Sequence, residues 1–341
     1  MLDKKILHQL DHNSRASYSQ IAKALKTSPQ VVKYRVENLY KRGILLYCWP
    51  MVEYRGLGYF FGLHFIKLQN MTPARQKEFY DYLNSSKFIP IIMHGQGYAD
   101  LIIAIDGKGI HHLDEIMREL RNQFGDVFLD LDTVIPIGFS RFNRNYLIGK
   151  EEVTPEVAFT GAPVDVRKFH LRTANDRRSL EIELDELDRK ILSMLNYDAR
   201  VPTIEIARKI GVSYETVFNR IKRLEKNGVI QCYTILPDHV KLGYPRYRTL
   251  IKFKNLNEKE ERKFFTYCNI HSNIIHHLKV LGNWDLVIDI EVESMEKLRD
   301  AVTDIKSKFS NIVQRIEPTY IYKIDRFRDI PIEHPELNQN R

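Results

Sequence analysis

Two short stretches of this 341-residue chain carry side chains that could hold a phosphate and read a base edge. The first offers Ser28, Gln30, Lys33, Tyr34 and Arg35; the second offers Ser213, Glu215, Thr216, Asn219, Arg220 and Arg223. Serine at a helix start can bond a phosphate oxygen, and Gln, Asn and Arg match the donor and acceptor pattern of bases in the major groove. The charge distribution agrees. Of a net charge of +8, residues 1–48 hold nine Lys/Arg against three Asp/Glu, and residues 185–232 hold nine against seven. The other segments cancel, so the whole surplus lies in these two stretches. A localised basic surplus is an electrostatic footprint for a polyanion, with double-stranded DNA the first candidate partner.

Other chemistries find little support. There is no Gly-rich phosphate loop, no nucleophile elbow and no metal-spaced carboxylate set, so no catalytic residue, cofactor or metal is expected. His94, His111-His112 and His276-His277 have no counterparts in the other copy of the repeat described below and read as surface or interface residues. Adjacent histidines on a strand point to opposite faces and cannot easily share one ion. Cys48, Cys232 and Cys268 are odd in number and form no CxxC pair; they read as small buried side chains in a reducing compartment, hence a cytoplasmic location. No apolar run is long enough for a membrane span, and the charged start MLDKKILHQL does not read as a signal peptide.

The elements that must position the candidate residues occur twice. Leu2-Asp3-Lys4-Lys5-Ile6-Leu7 matches Leu187-Asp188-Arg189-Lys190-Ile191-Leu192 at an offset of 185. The same gapless offset pairs Ile21-Ala22 with Ile206-Ala207, Gly43 with Gly228, Leu57-Gly58-Tyr59 with Leu242-Gly243-Tyr244, and Arg141-Phe142 with Arg326-Phe327. This is a tandem duplication. The expected division is 1–48 and 185–233 for two helical domains, 55–142 and 240–328 for two mixed domains, a linker at 143–184 and a flexible tail at 329–341.

In each helical domain the apolar spacing predicts three short helices. The third begins at Ser28-Pro29 or Ser213 and buries Val32, Val36 and Leu39, or Val217, Ile221 and Leu224. That is the helix-turn-helix pattern, with a third helix sized for the major groove. The strand-rich runs 44–47 and 229–232 suggest a wing. The mixed domain of copy one is predicted as strand 59–68, helix 73–84, strands 88–93 and 101–105 around a turn at 95–98, helix 110–124 and strand 127–137. Copy two repeats it at 244–254, 258–268, 274–281, 285–292, 294–309 and 312–324. The order βαββαβ is ferredoxin-like and leaves one sheet face bare. The fold class is therefore α+β: two winged helix-turn-helix domains, each followed by a ferredoxin-like βαββαβ domain. The two halves are expected to form a pseudo-dimer within the chain by burying their bare sheet faces against each other.

With these motifs the chain resembles the Lrp/AsnC transcription regulators. The likeness rests on Leu-Asp…Ile-Leu at the start, Ser-Xaa…Val-Xaa-Xaa-Arg in helix three, and the turns Gly97-Tyr98-Ala99-Asp100 and Gly282-Asn283-Trp284-Asp285. The resemblance implies a sequence-specific DNA-binding regulator that dimerises through the βαββαβ domain. In some members an amino-acid effector sits where such domains meet, which here would involve Gly97, Tyr98, Asp100, Gly282, Asn283 and Asp285. The outer edges of such a pseudo-dimer leave room for chains to assemble further into homo-oligomers. Two features depart from the pattern. Both copies lie in one chain, and Tyr34 or Asn219 replaces the first of two basic residues in helix three, leaving Arg35 and Arg220. The copies also differ in charge and reading residues, which admits an asymmetric DNA site. The alternative is an enzyme like the siroheme decarboxylases, which resemble the same two-domain unit. Met93-His94-Gly95 is similar to their sheet motif, but copy two has Lys279 in place of that histidine.

Overall fold

The computed structural model describes residues 2–53, 60–149 and 183–328. Copy one runs α1 (Leu2–His12), α2 (Tyr18–Leu25), α3 (Pro29–Lys41), β1 (Leu45–Val52), β2 (Phe60–Leu68), α4 (Pro73–Ser85), β3 (Ile91–Gly97), β4 (Leu101–Gly107), α5 (Ile110–Phe124) and β5 (Phe128–Arg141). Copy two runs α6 (Glu186–Tyr197), α7 (Thr203–Ile210), α8 (Tyr214–Lys226), β6 (Ile230–Pro237), a short α9 (His239–Leu242), β7 (Arg246–Phe253), α10 (Glu258–Ile270), β8 (Ile274–Gly282), β9 (Leu286–Glu291), α11 (Met295–Lys308) and β10 (Val313–Phe327). These elements fall into two compact units. One contains α1–β1 and α6–β6; the other contains β2–β5 and α9–β10.

In the first unit, local chemistry starts α2 and α3. Ser17 and Gln20 form a capping box at α2, and Ser28 accepts from the Val31 N–H with Pro29 in the first helical turn of α3. Such caps contribute about 1 kcal/mol each. The turn into the third helix needs a left-handed residue, which is Gly211 (φ 73°) in copy two but Lys26 (φ 52°) in copy one. Ile6, Leu7, Leu10, Ile21, Val32 and Val36 bury the facing stripes of α1–α3, and copy two repeats the arrangement. The strand after each third helix, read as a wing, takes its twin as partner. β1 pairs antiparallel with β6, from Leu45 opposite Pro237 to Val52 opposite Ile230.

In the second unit, α4 and α5 cover copy one's strands through Phe79, Leu83, Leu113, Met117, Leu120 and Phe124, packed on Ile66, Leu101, Ile103 and Ile105. Helices α10 and α11 do the same with Phe264, Leu298 and Ile305 over Ile251, Ile288 and Ile290. Two sheets packed only face to face were expected; the strands instead form one closed barrel in the order β10-β3-β4-β2-β5-β8-β9-β7. The copies join edge to edge, β5 to β8 and β10 to β3. Closure leaves no edge strand with unpaired N–H and C=O groups, which two separate sheets would each have exposed. It also draws Gly95–Gly97, read as turn, into strand β3, because Ile321 and Thr319 pair with them. Residues 143–149, at the head of the expected linker, are buried in this unit up to Leu147 and include a 3-10 turn at Asn145–Ile148. The remainder of that linker up to 182, and the tail at 329–341, lie outside the described residues.

Candidate nucleic-acid interface

With Val32, Val36 and Leu39 facing inward, α3 turns Ser28, Gln30, Lys33 and Tyr34 to solvent, and Tyr34 is 66% exposed. On α8 the outward side chains are Ser213, Glu215 and Asn219, with Thr216 half-buried. The outward face of α8 also carries Tyr214 and Phe218, which sequence reasoning passed over. They are 49% and 42% exposed and stack with centroids 6.0 Å apart. Their signal was positional: they sit at the i and i+4 places held by Pro29 and Lys33 in copy one.

The arginines of the two third helices stand apart from these residues. Arg35 Nη1 lies 2.8 Å from Asp3 Oδ1 on α1, and Arg42 lies 3.9 Å from the other oxygen. In copy two Arg220 binds Asp185 and sits 3.2 Å from Asp188 Oδ1, while Arg223 binds Asp188, whose side chain is fully buried. The Arg220 hydrogen bond pulls the Asp185 carboxyl down to about 2. So Arg35, Arg220 and Arg223 tie the third helix to the first, and only their half-exposed flanks remain toward solvent. This pairing joins residues 32–39 apart and was not legible in the linear order of the chain.

A second set of arginines fixes one helix-turn-helix against the other. Arg15 Nη1 donates to the Ala199 carbonyl at 2.6 Å, and Arg200 Nη1, 185 residues on, donates to the Ala16 carbonyl at 3.0 Å. Backbone bonds repeat the reciprocity: Ser14 N–H to the Tyr233 carbonyl at 3.1 Å, and Ala199 N–H to the Cys48 carbonyl at 2.9 Å. Each guanidinium also lies over a ring of the other copy, Arg15 over Tyr233 and Arg200 over Tyr18. The two third helices are thereby held in one pseudo-symmetric frame.

In the second unit the two Gly-Xaa-Xaa-Asp turns divide their labour. Asp100 takes Lys67 Nζ at 2.8 Å and the Leu68 N–H at 3.0 Å; Asp285 repeats this with Lys252 at 3.2 Å and the Phe253 N–H at 2.8 Å. Both aspartates thus tie their turn to the end of a strand of the same copy, β2 for Asp100 and β7 for Asp285. A Cβ on Gly97 or Gly282 would meet a carbonyl oxygen at 2.8 or 2.7 Å, and both have positive φ, so glycine is required. The remaining turn residues meet across the copies at Asp132, which accepts from Tyr98, from Asn283 at 3.1 Å and from Trp284 Nε1 at 3.2 Å. Arg315 lies over the Trp284 ring, 5.0 Å from its centroid.

The sequence reading also missed a buried ionic cluster in copy two's half of the barrel. Arg248 grips Asp289 through two bonds of 2.8 and 2.7 Å. Glu291 receives Arg144 at 2.9 Å, Arg246 at 2.9 Å and the Tyr146 hydroxyl. His276 Nδ1 lies 2.8 Å from Asp289, and His239 Nδ1 lies 3.0 Å from Glu291 without hydrogen-bond alignment. Burial would raise the pKa of both carboxyls, but the surrounding arginines hold them well below the carboxylate range. Burial lowers His239 and His276 to about 4. The matching positions in copy one are Phe61, Leu63, Ala104 and Asp106. Of the histidines expected at a surface or interface, His276 and His277 are buried on opposite strand faces of β8, at its seam with β5 of the other copy, with His277 against Phe265. His94 is also buried and lies 2.6 Å from Asp325.

Two helix-turn-helix modules with outward third helices define a DNA-binding protein. Comparison with known proteins makes the class specific. Residues 1–39 match the AsnC-type helix-turn-helix domain, and residues 184–231 match a winged helix-turn-helix DNA-binding model. An HTH-type transcriptional regulator of Pyrococcus furiosus is 35% identical over 127 residues, covering 37% of this chain and 84% of the relative. LrpB of Bacillus subtilis is 29% identical over 124 residues, covering 36% and 82%. Among solved structures, the siroheme decarboxylase NirDL shares the fold with a TM-score of 0.59 at 13% identity, covering 97% of this chain and 94% of that one. The chain belongs to the Lrp/AsnC family of helix-turn-helix transcription regulators, and is a DNA-binding regulator.

Proposed function

We propose that this chain does alone what a dimer of single-copy regulators does: it presents α3 and α8 together to two neighbouring half-sites on duplex DNA. The observation that carries this reading is the reciprocal Arg15–Arg200 frame joined to the β1–β6 ribbon. Ser28, Gln30, Lys33 and Tyr34, with Ser213, Thr216 and Asn219, would meet DNA; Arg35, Arg220 and Arg223 would orient the helices and reach phosphates with their exposed flanks. It acts as a cytoplasmic regulator rather than an enzyme. Contact with roughly 4–8 phosphates gives a log affinity–log salt slope of about −4 to −7. A slope near zero, or no binding at about 50 mM salt, refutes the reading. An amino-acid effector would lodge at the turn cluster, with its ammonium on Asp132 and its carboxylate on Arg315. The residues expected for this included Asp100 and Asp285, but those are engaged by Lys67 and Leu68 of β2 and by Lys252 and Phe253 of β7. Asp132→Asn should abolish any amino-acid-induced thermal shift.

The buried cluster of Arg144, Arg246, Arg248, His239 and His276 favours a second reading, a siroheme-decarboxylase-like enzyme that takes a carboxylate-rich tetrapyrrole. A red-brown chromophore in the purified protein, or tetrapyrrole binding followed by absorbance, supports it; a colourless protein that binds none removes it.

A further inference from the structure

The frame that holds α3 and α8 is symmetric, but what they present is not. Arg15 and Arg200, Ser14 and Ala199, and Cys48 and Tyr233 occupy matched positions and make matched contacts. Each third helix keeps a serine N-cap, Ser28 or Ser213. Beyond the cap, α3 shows solvent Gln30, Lys33 and Tyr34 where α8 shows Glu215, Phe218 and Asn219. On α8, Tyr214 and Phe218 stack at an interplanar angle of 17°, and Lys222 Nζ lies 5.9 Å from the Phe218 ring centroid. An exposed stacked pair on the solvent face of a monomeric helix costs hydration unless a partner covers it.

We infer that the DNA site of this protein has two chemically unlike halves, and that Tyr214 and Phe218 read theirs through thymine methyl groups. The inference rests on the DNA-binding reading of α3 and α8 given above. Aromatic side chains in a major groove make apolar contact with the thymine C5-methyl, which offers the one apolar feature on a base edge there. Gln30 and Lys33 have the opposite chemistry: an amide matches adenine N6 and N7, and an ammonium matches guanine O6 and N7. Glu215 adds discrimination on the α8 side, since a carboxylate is repelled by phosphate and by purine acceptors and accepts only from an exocyclic amine such as cytosine N4. The copy-two half-site should therefore place thymine methyls of A·T pairs against Tyr214 and Phe218 and a cytosine of a C·G pair against Glu215, and the copy-one half-site an A·T pair at Gln30 and a G·C pair at Lys33. A homodimer cannot make such a choice, because both of its helices are the same.

The experiment selects full-length protein on a random duplex library, then compares the selected duplex with two symmetrised versions, each carrying one half-site twice. The expected result is a selected duplex with unlike halves, bound at least about ten-fold more tightly than either symmetrised one. Glu215→Gln with Phe218→Lys and Asn219→Tyr places copy one's Gln30, Lys33 and Tyr34 equivalents on the exposed face of α8. This variant should bind the duplex symmetrised on the copy-one half-site more tightly than the selected duplex. Phe218→Ala should lose discrimination at the thymine positions alone, with the melting temperature unchanged. Equal affinity for all three duplexes, or no change of preference in the triple variant, overturns the inference. If salt-dependent binding persists without preference, only the unlike-halves inference falls. If no duplex binds at about 50 mM salt, the DNA-binding reading falls and takes the inference with it.

Discussion

Replacing Arg15 and Arg200 by alanine should loosen the frame between the two helix-turn-helix modules. Each guanidinium is half-buried and donates to carbonyls of the other copy, at 2.6 Å for Arg15 on Ala199 and 3.0 Å for Arg200 on Ala16. A hydrogen bond from a charged donor is worth about 1.5–3 kcal/mol, and partial exposure places these at the lower end. The rings of Tyr233 and Tyr18 beneath the guanidinium groups add about 0.5 kcal/mol. Each single variant should therefore lose about 2 kcal/mol. Segments 14–16 and 199–201 face one another, so the two arginines share a contact and the double variant should lose between about 2 and 4 kcal/mol rather than a strict sum. Urea denaturation of the full chain measures this. DNA affinity measures the functional half: the advantage of a two-half-site duplex over a one-half-site duplex should shrink about ten-fold, because the second helix is no longer held in place. Stability within about 0.5 kcal/mol of the parent would refute the structural argument, and equal weakening on both duplexes would refute the coupling.

Three other outcomes follow from the same geometry. Lys26→Gly should stabilise the first unit by about 0.5–1 kcal/mol, since a left-handed non-glycine residue is strained, whereas Gly211→Ala should destabilise it by about 1 kcal/mol although nothing lies within 4 Å of the added Cβ; chemical denaturation checks both. Glu291→Gln should cost about 3–5 kcal/mol, because it leaves Arg144 and Arg246 buried without their charged partner; failure to lower the urea midpoint would show the cluster to be dispensable. Stability should also fall as pH drops from about 6.5 toward 4. His239 and His276 titrate near 4 when folded, so in that window the unfolded chain binds protons that the folded chain refuses. His239→Phe should flatten the profile in thermal melts between those limits.

Much of the fold was legible because local signals agreed. The 3.6-residue spacing of Val32, Val36 and Leu39, the Ser28-Pro29 start and the 185-residue repeat all pointed to the same helix. The candidate site was less legible. Arg35 and Asp3 are adjacent only after α3 folds onto α1, and a sequence offers no sign that a helix-three arginine is already engaged. The barrel was hidden for a different reason. Arg246-Tyr247-Arg248 and Asp289-Ile290-Glu291 alternate charged and apolar residues, the pattern of a strand with one wet face. Here the charged face turns inward, and only the closure of β5 on β8 and β10 on β3 makes it an interior.

That closure bears on why the two copies have diverged where they have. In a homodimeric barrel every interior residue appears twice, so a buried Arg–Asp pair must be tolerated at two places at once. Desolvating one such cluster is already expensive, and its cost is offset only by close pairing such as that of Arg248 with Asp289. A single chain that contains both halves escapes the constraint. Copy two can hold Arg246, Arg248, Asp289 and Glu291 while copy one fills the matching positions with Phe61, Leu63, Ala104 and Asp106. The same freedom operates on α3 and α8, where the caps and the Arg15–Arg200 frame keep their symmetry and the outward residues do not. Contacts near the pseudo-dyad are retained because each needs its twin; residues that face the interior or the ligand answer to no twin and are free to specialise.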